Sequence, residues 1–232
     1  MPRGPEPGAS DANVGGRQMT EQERFRYRLG FHKTEAMRFT GHLDLYRALE
    51  RTIRRAGLPL AYRGGFSPHP RLQLASALPL GFTSVAELAD LWLEQPLDAS
   101  DVLARLQAAG PPGLKFLEVD LAAADEPALQ EQVTSATFSI TLTGSAPADL
   151  GARVGSLLSN VSLIRQRRGR AYDLRPLIER LEATGNGGLM MRLSAREGAT
   201  GRPDEVLEAL GLDPLTAQIE RTSLALAVTA AT

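Results

Sequence analysis

Between residues 24 and 56 the hydrophobic period switches from two to 3.6, which restricts the chain to folds in which a strand hands over directly to a packed helix. In 24–32, Phe25, Tyr27, Leu29 and Phe31 alternate with Arg24, Arg26, Arg28 and Gly30, the pattern of a half-buried strand. In 42–56, His42, Tyr46, Leu49, Ile53 and Ala56 recur at helical spacing with Leu45 beside them. Gly57 then stops the helix and Pro59 prevents its continuation. Glycines and prolines from Gly64 to Gly81 predict loops around a short extended piece, Leu72–Leu78. A strand follows at 86–94, then a helix capped by Asp98 and ended by Gly110, then a strand at Leu114–Leu121.

The stretch 122–133 is Ala-rich and acidic and reads as a linker, after which the order repeats. The second round comprises a strand at Ala136–Leu142, a helix at Ala148–Val161 and a hairpin-like segment Ser162–Leu174 around Gly169. It continues with a short helix at Arg175–Ala183, a strand at Leu189–Ser194, a helix from Pro203 and a final strand at Ala217–Val228. The expected class is α+β: two tandem ferredoxin-like (βαββαβ) units with antiparallel sheets, at 23–122 and 134–229, behind a disordered tail at 1–22. The repeat is one of element order, not of residue identity. One α+β domain without internal symmetry is the alternative.

Composition excludes several chemistries. The chain has no Cys, hence no disulfide, Cys-ligated zinc or iron–sulfur cluster of its own, and this fits a reducing, cytoplasmic setting. With three His (His32, His42, His69), a His-rich metal site is not expected, and no cofactor is expected in this chain. No apolar run approaches the ~20 residues that span a bilayer. P-loop, GxSxG and HExxH signatures are missing. Asp90, Glu94 and Asp120 fall on expected strands with nothing to pair them, and Asp173 is expected to cap the helix at 175.

The charge is close to balanced overall, at −1, yet it is clustered. Residues 38–71 hold Arg38, Arg47, Arg51, Arg54, Arg55, Arg63 and Arg71 against Asp44 and Glu50. Arg47, Arg51, Arg54 and Arg55 form one helical stripe, where guanidiniums repel unless they meet anions. Phosphate satisfies them bidentately. A second cluster, Arg165, Arg167, Arg168, Arg170 and Arg175, faces only Asp173. The loop from Arg63 to Arg71 places Gly64 and Gly65, Phe66 and His69 within a backbone stiffened by Pro68 and Pro70, and an anion over the glycine amides fits its chemistry. His42, at a helix start, and His69 are also the inventory of a metal-independent endoribonuclease, as base and acid.

The text of 38–93 resembles a known family. It runs Arg38-Phe39-Thr40-Gly41-His42-Leu43-Asp44-Leu45, then Arg54-Arg55-Ala56-Gly57-Leu58-Pro59, Gly65-Phe66-Ser67-Pro68-His69-Pro70-Arg71 and Ala75-Ser76-Ala77-Leu78-Pro79-Leu80-Gly81. Asp173-Leu174-Arg175-Pro176, Arg202-Pro203-Asp204-Glu205-Val206-Leu207 and Arg221-Thr222 add to it. Over roughly residues 24–226 the chain is similar to the radical-SAM-linked protein family, the DUF2344 domain; Arg63 departs from it, where a small or acidic residue is expected. The resemblance implies a partner, a cobalamin-binding-type radical SAM protein, with ribonuclease E/G-type machinery as a further association. The expectation that follows is a non-catalytic accessory module binding RNA or a ribonucleoprotein substrate through its Arg clusters. The alternatives are the His42–His69 endoribonuclease and a pure protein–protein adaptor for the radical SAM partner.

Overall fold

The computed structural model describes residues 24–64, 68–123, 125–167 and 169–227. The expected tail at 1–22 and the last residues of the second expected unit, 228 and 229, lie outside them.

Strand β1 (Phe25–Lys33) leads to helix α1 (His42–Arg55), β2 (Leu72–Leu74), β3 (Phe82–Leu93), α2 (Ala99–Ala109) and β4 (Leu114–Leu121). Leu45, Leu49, Thr52 and Ile53 form the buried stripe of α1, and Gly57 follows it at φ +64°, a conformation that costs glycine little. Asp98 caps α2 by accepting from the Ser100 amide. Tyr27, Leu29 and Phe31 of β1 pack with both helices in one core. The other face of β1 is also covered: Arg26 is only 3% exposed, so the strand is not half-buried as the alternation implied. Its guanidinium donates to Asp90 and to the carbonyls of Glu126 and Pro127. Glu126 and Pro127, from the stretch expected to be a linker, supply that cover, so it is more than a linker. It includes a one-turn helix, α3 (Leu129–Gln132), whose Leu129 is fully buried beside Ala75 and Val133.

The second half runs β5 (Val133–Leu142), α4 (Leu150–Ser159), a hairpin of β6 (Ile164–Arg167) and β7 (Arg170–Asp173), β8 (Ile178–Ala183), β9 (Leu189–Arg196), β10 (Ala199–Thr200), α5 (Pro203–Ala209) and β11 (Ala217–Leu226). Gly169 turns the hairpin at φ +76°. The helix expected at Arg175–Ala183 is instead a 3-10 turn, Arg175–Leu177, followed by β8. Ile178 and Leu181, spaced as on a helix, are both buried because a register shift between Ile178 and Arg180 adds a residue to the strand.

The fold is α+β with one large, mostly antiparallel sheet. In the first half the strands lie in the order β4-β1-β3-β2, and in the second β11-β5-β9-β8, all antiparallel. The two sets are fused, where separate sheets were expected. β11 pairs in parallel with β3 through Ile219–Phe82, Glu220–Thr83 and Arg221–Ser84, giving a nine-stranded sheet. β3 thus pairs with β11 at its start and with β2 toward its end. Among the described residues no helix is long and apolar enough to cross a membrane.

Candidate functional site

The basic stripe of α1 is partly neutralised by its own helix. Arg47 pairs with Asp44 at 3.2 Å and Arg54 with Glu50 at 2.7 Å. Arg51 donates only to the Arg47 carbonyl, and neither Arg51 nor Arg55 has a carboxylate partner among the described residues. Together with Arg54, Ala48, Met37 and Pro111 they line a shallow cleft. The 62–71 segment lies beside this helix: the Tyr46 hydroxyl donates to the Pro70 carbonyl and the Arg54 guanidinium sits over the Tyr62 ring. The Arg63 amide donates to the His69 carbonyl, while the Arg63 side chain is exposed with no carboxylate partner among the described residues. Gly64 and His69 are exposed; Gly65, Phe66 and Ser67 lie outside the described residues, and so does the anion seat expected over the glycine amides. Two members of the first cluster are drawn off elsewhere. Arg71 lies over Trp92, 4.8 Å from the ring centroid, and Arg38 donates to the Gly81 carbonyl and to Glu35 while covering Phe39.

The second cluster lines an open cleft of about 950 Å³ with Arg165, Gln166, Arg167 and Arg170 on the hairpin and Arg202, Asp204, Glu205 and Glu208 opposite. Arg167 is committed here: it bonds Glu205, the Thr200 carbonyl and the Tyr172 hydroxyl, 4.6 Å above the Tyr172 ring. Burial, reinforced by the hydrogen bond that the phenol donates to the Glu205 carboxylate, pushes the Tyr172 pKa up to about 12. Burial also pulls Glu205 upward, but Arg167 and Tyr172 outweigh it, and the carboxyl ends below its ordinary value. Arg165 and Arg170 have no carboxylate partner among the described residues, and Arg168 lies outside them. Arg175 serves structure, donating twice to the Leu158 carbonyl at the end of α4. Asp173 caps the turn at 175, accepting from the amides of Leu163 and Arg175.

A third site was not anticipated. Where β3 meets β11, a cavity of about 470 Å³ opens between the starts of α1 and α5. Its walls are largely apolar, from Ala77, Leu78, Pro79, Leu80, Ala136 and Phe138, and its polar side chains include His42, Arg202 and Arg221. Arg221 is 1% exposed, bonds both oxygens of the buried Glu87, and also donates to the Ala77 carbonyl. Lys33 is fully buried nearby, donating to the carbonyls of Arg38 and Phe82. Burial pulls its ammonium below the ordinary lysine value; Glu87 opposes this and Arg221 adds to it. The buried group is therefore two cations and one carboxylate. His42 Nδ1 and Arg202 Nε are buried atoms without a hydrogen-bond partner. His69 is not among the lining residues, so His42 and His69 do not share this cavity.

The arginines of the two clusters were legible as clusters, but Arg202, Arg221 and Lys33 were not, because each stands alone in the sequence. Asp90, expected to have no partner, binds both Arg26 and Arg28. The signal that could have revealed this is Arg on alternate positions of one strand and a lone acid in another. Among the described residues no group of His, Asp and Glu is placed to hold a metal.

No curated protein matches this chain. Among solved structures, one of an unknown protein from Galdieria sulphuraria is similar at 12% identity and a TM-score of 0.28, covering 89% of this chain and 100% of the other. Residues 26–203 match a family described as uncharacterized proteins conserved in bacteria, and the chain belongs to that family, DUF2344.

Proposed function

We propose that the protein is a non-catalytic binding module, an accessory of a radical SAM system, that holds single-stranded RNA or a ribonucleoprotein on its arginine surfaces. The observation that carries the reading is the set of guanidiniums without carboxylate partners among the described residues: Arg51, Arg55 and Arg63 beside α1, and Arg165 and Arg170 on the hairpin. An isolated cation is well solvated, but a row of them is self-repelling until it meets a polyanion, whose counterions are released on contact. The identical pairing orders of the two halves support two tandem ferredoxin-like units. The radical SAM partner, of the cobalamin-binding type, and the cytoplasmic setting rest on the family resemblance and on the lack of Cys.

The test is the salt dependence of binding to mixed single-stranded RNA. The log–log slope is expected to fall by about 0.7 for each phosphate that the protein no longer neutralises, so Arg51→Ala with Arg55→Ala flattens it by more than one. A flat slope in the parent protein overturns the reading. Co-purification with a partner protein, unaffected by nuclease and free of RNA, would assign the chain to adaptor work instead. RNA cleavage that disappears in His42→Ala would remove the non-catalytic part.

A further inference from the structure

The seam cavity has features that the binding surfaces do not explain. Its walls carry apolar side chains, yet beneath them sits a buried group with two cations to one carboxylate, and that carboxylate is fully engaged by Arg221. His42 Nδ1 and Arg202 Nε lack a hydrogen-bond partner at its wall, while the far end of the Arg202 guanidinium pairs with Asp204 at 2.9 Å, on the side of the hairpin cleft. A buried polar atom left without a partner is costly, so such atoms mark places where something else binds. A bare inorganic anion would gain nothing from Leu78, Pro79 and Phe138, and a hydrocarbon would leave His42 Nδ1 and Arg202 Nε unanswered. The complementary occupant is an anion with an apolar, flat body. The volume of about 470 Å³ falls within the range of small-ligand sites.

Two connections identify the class of that anion. Arg202 lines both this cavity and the hairpin cleft, so the cavity continues directly into the surface carrying Arg165 and Arg170. On the other side, the Phe39 ring is 75% exposed, with Arg38 stacked on it 5.4 Å from its centroid. The Arg38 carbonyl accepts from the Gly81 amide, which fastens this aromatic beside the Pro79–Leu80 rim. An exposed aromatic beside a line of guanidiniums is the arrangement that stacks unpaired bases.

We infer that the cavity seats one nucleotide of the bound strand, its phosphate against Arg202 and His42 and its base among Leu78, Pro79 and Phe138, with Phe39 as the platform for a neighbouring base. The inference rests on the RNA-binding reading and adds a discrete nucleotide seat to it. It requires no covalent step.

The probes are the four nucleoside 5′-monophosphates and the corresponding nucleosides, titrated calorimetrically into the full chain, with a single-stranded RNA oligomer in parallel. At least one monophosphate is expected to bind at one site per chain, with its nucleoside at least tenfold weaker. Ala77→Trp, an exposed position on the cavity wall, should abolish that binding without lowering the Tm, and Arg202→Met should weaken it tenfold or more. Equal affinity of nucleoside and monophosphate, or binding unchanged in Ala77→Trp, overturns the seat. If no mononucleotide binds while the oligomer does, the seat fails and the RNA reading stands; if neither binds, both fail. Loss of a protein partner in Ala77→Trp, with nucleotides inert, would give the cavity to a protein segment and also overturn the proposal.

Discussion

The buried seam and the exposed flank of α1 use the same ion pair, arginine with glutamate, to different ends. At the seam, the Arg221 and Glu87 side chains are 2% and 1% exposed and join β11 to β3. On α1, Arg54 and Glu50 are 57% and 22% exposed, and Arg47 and Asp44 are more exposed still. Water screens the second kind, so each such pair contributes little and its cation stays available to a stronger anion. At the seam the chain has already removed the competing water, and either partner alone would be stranded. Burial, not residue type, decides which guanidiniums hold the molecule together and which are free to meet a ligand.

The sharpest way to break this comparison is at the seam. Glu87→Ala should cost about 3–5 kcal/mol of unfolding free energy in urea titration, because Arg221 is left buried and unpaired. Converting both residues, Glu87→Leu with Arg221→Met, should recover most of that loss. If Glu87→Ala costs less than about 1 kcal/mol, the seam pair is no different from a surface pair.

Between the extremes lies the half-buried set on the hairpin. Burial, and after it the Glu205 contact, push the Tyr172 pKa up to about 12, so folding with the neutral phenol contributes stability that is complete below the unfolded tyrosine pKa and lost as pH rises toward 12. Absorbance of the phenolate should show one tyrosine ionising near pH 12, shifting down in Glu205→Gln. Glu205 itself is depressed, so its contribution is present above the unfolded glutamate pKa and lost as pH falls through the folded one. The smallest effect belongs to α1. A double-mutant cycle on Arg54 and Glu50 should return about 0.3–0.5 kcal/mol, reduced by salt. Arg55→Ala should leave stability within about 0.5 kcal/mol while RNA affinity falls.

Period and capping carried most of the fold. The switch at 24–56, the Asp98 cap, the Gly57 stop and the Gly169 turn all depend on neighbours within a few residues, and all correspond to observed elements. What failed depended on distant partners. The spacing of Ile178 and Leu181 signals a helix unless the β9 register is known, and the cover over Arg26 comes from residues a hundred positions away. The arginine clusters could be read because they are runs. Their division into paired and unpaired members could not, since Glu205 reaches Arg167 across 38 positions. The seam cavity was invisible for the same reason: its cations come from separate segments of the chain.

The parallel join has a mechanical consequence. A single strand, β3, carries hydrogen bonds to both halves, and Arg221 locks β11 to the same strand. Swinging one half against the other would have to tear that shared strand from one of its neighbours and expose a paired charge. The Arg221 side of the central hollow is therefore set in advance, and a guest that fits the proposed seat would spend none of its affinity on rebuilding that wall.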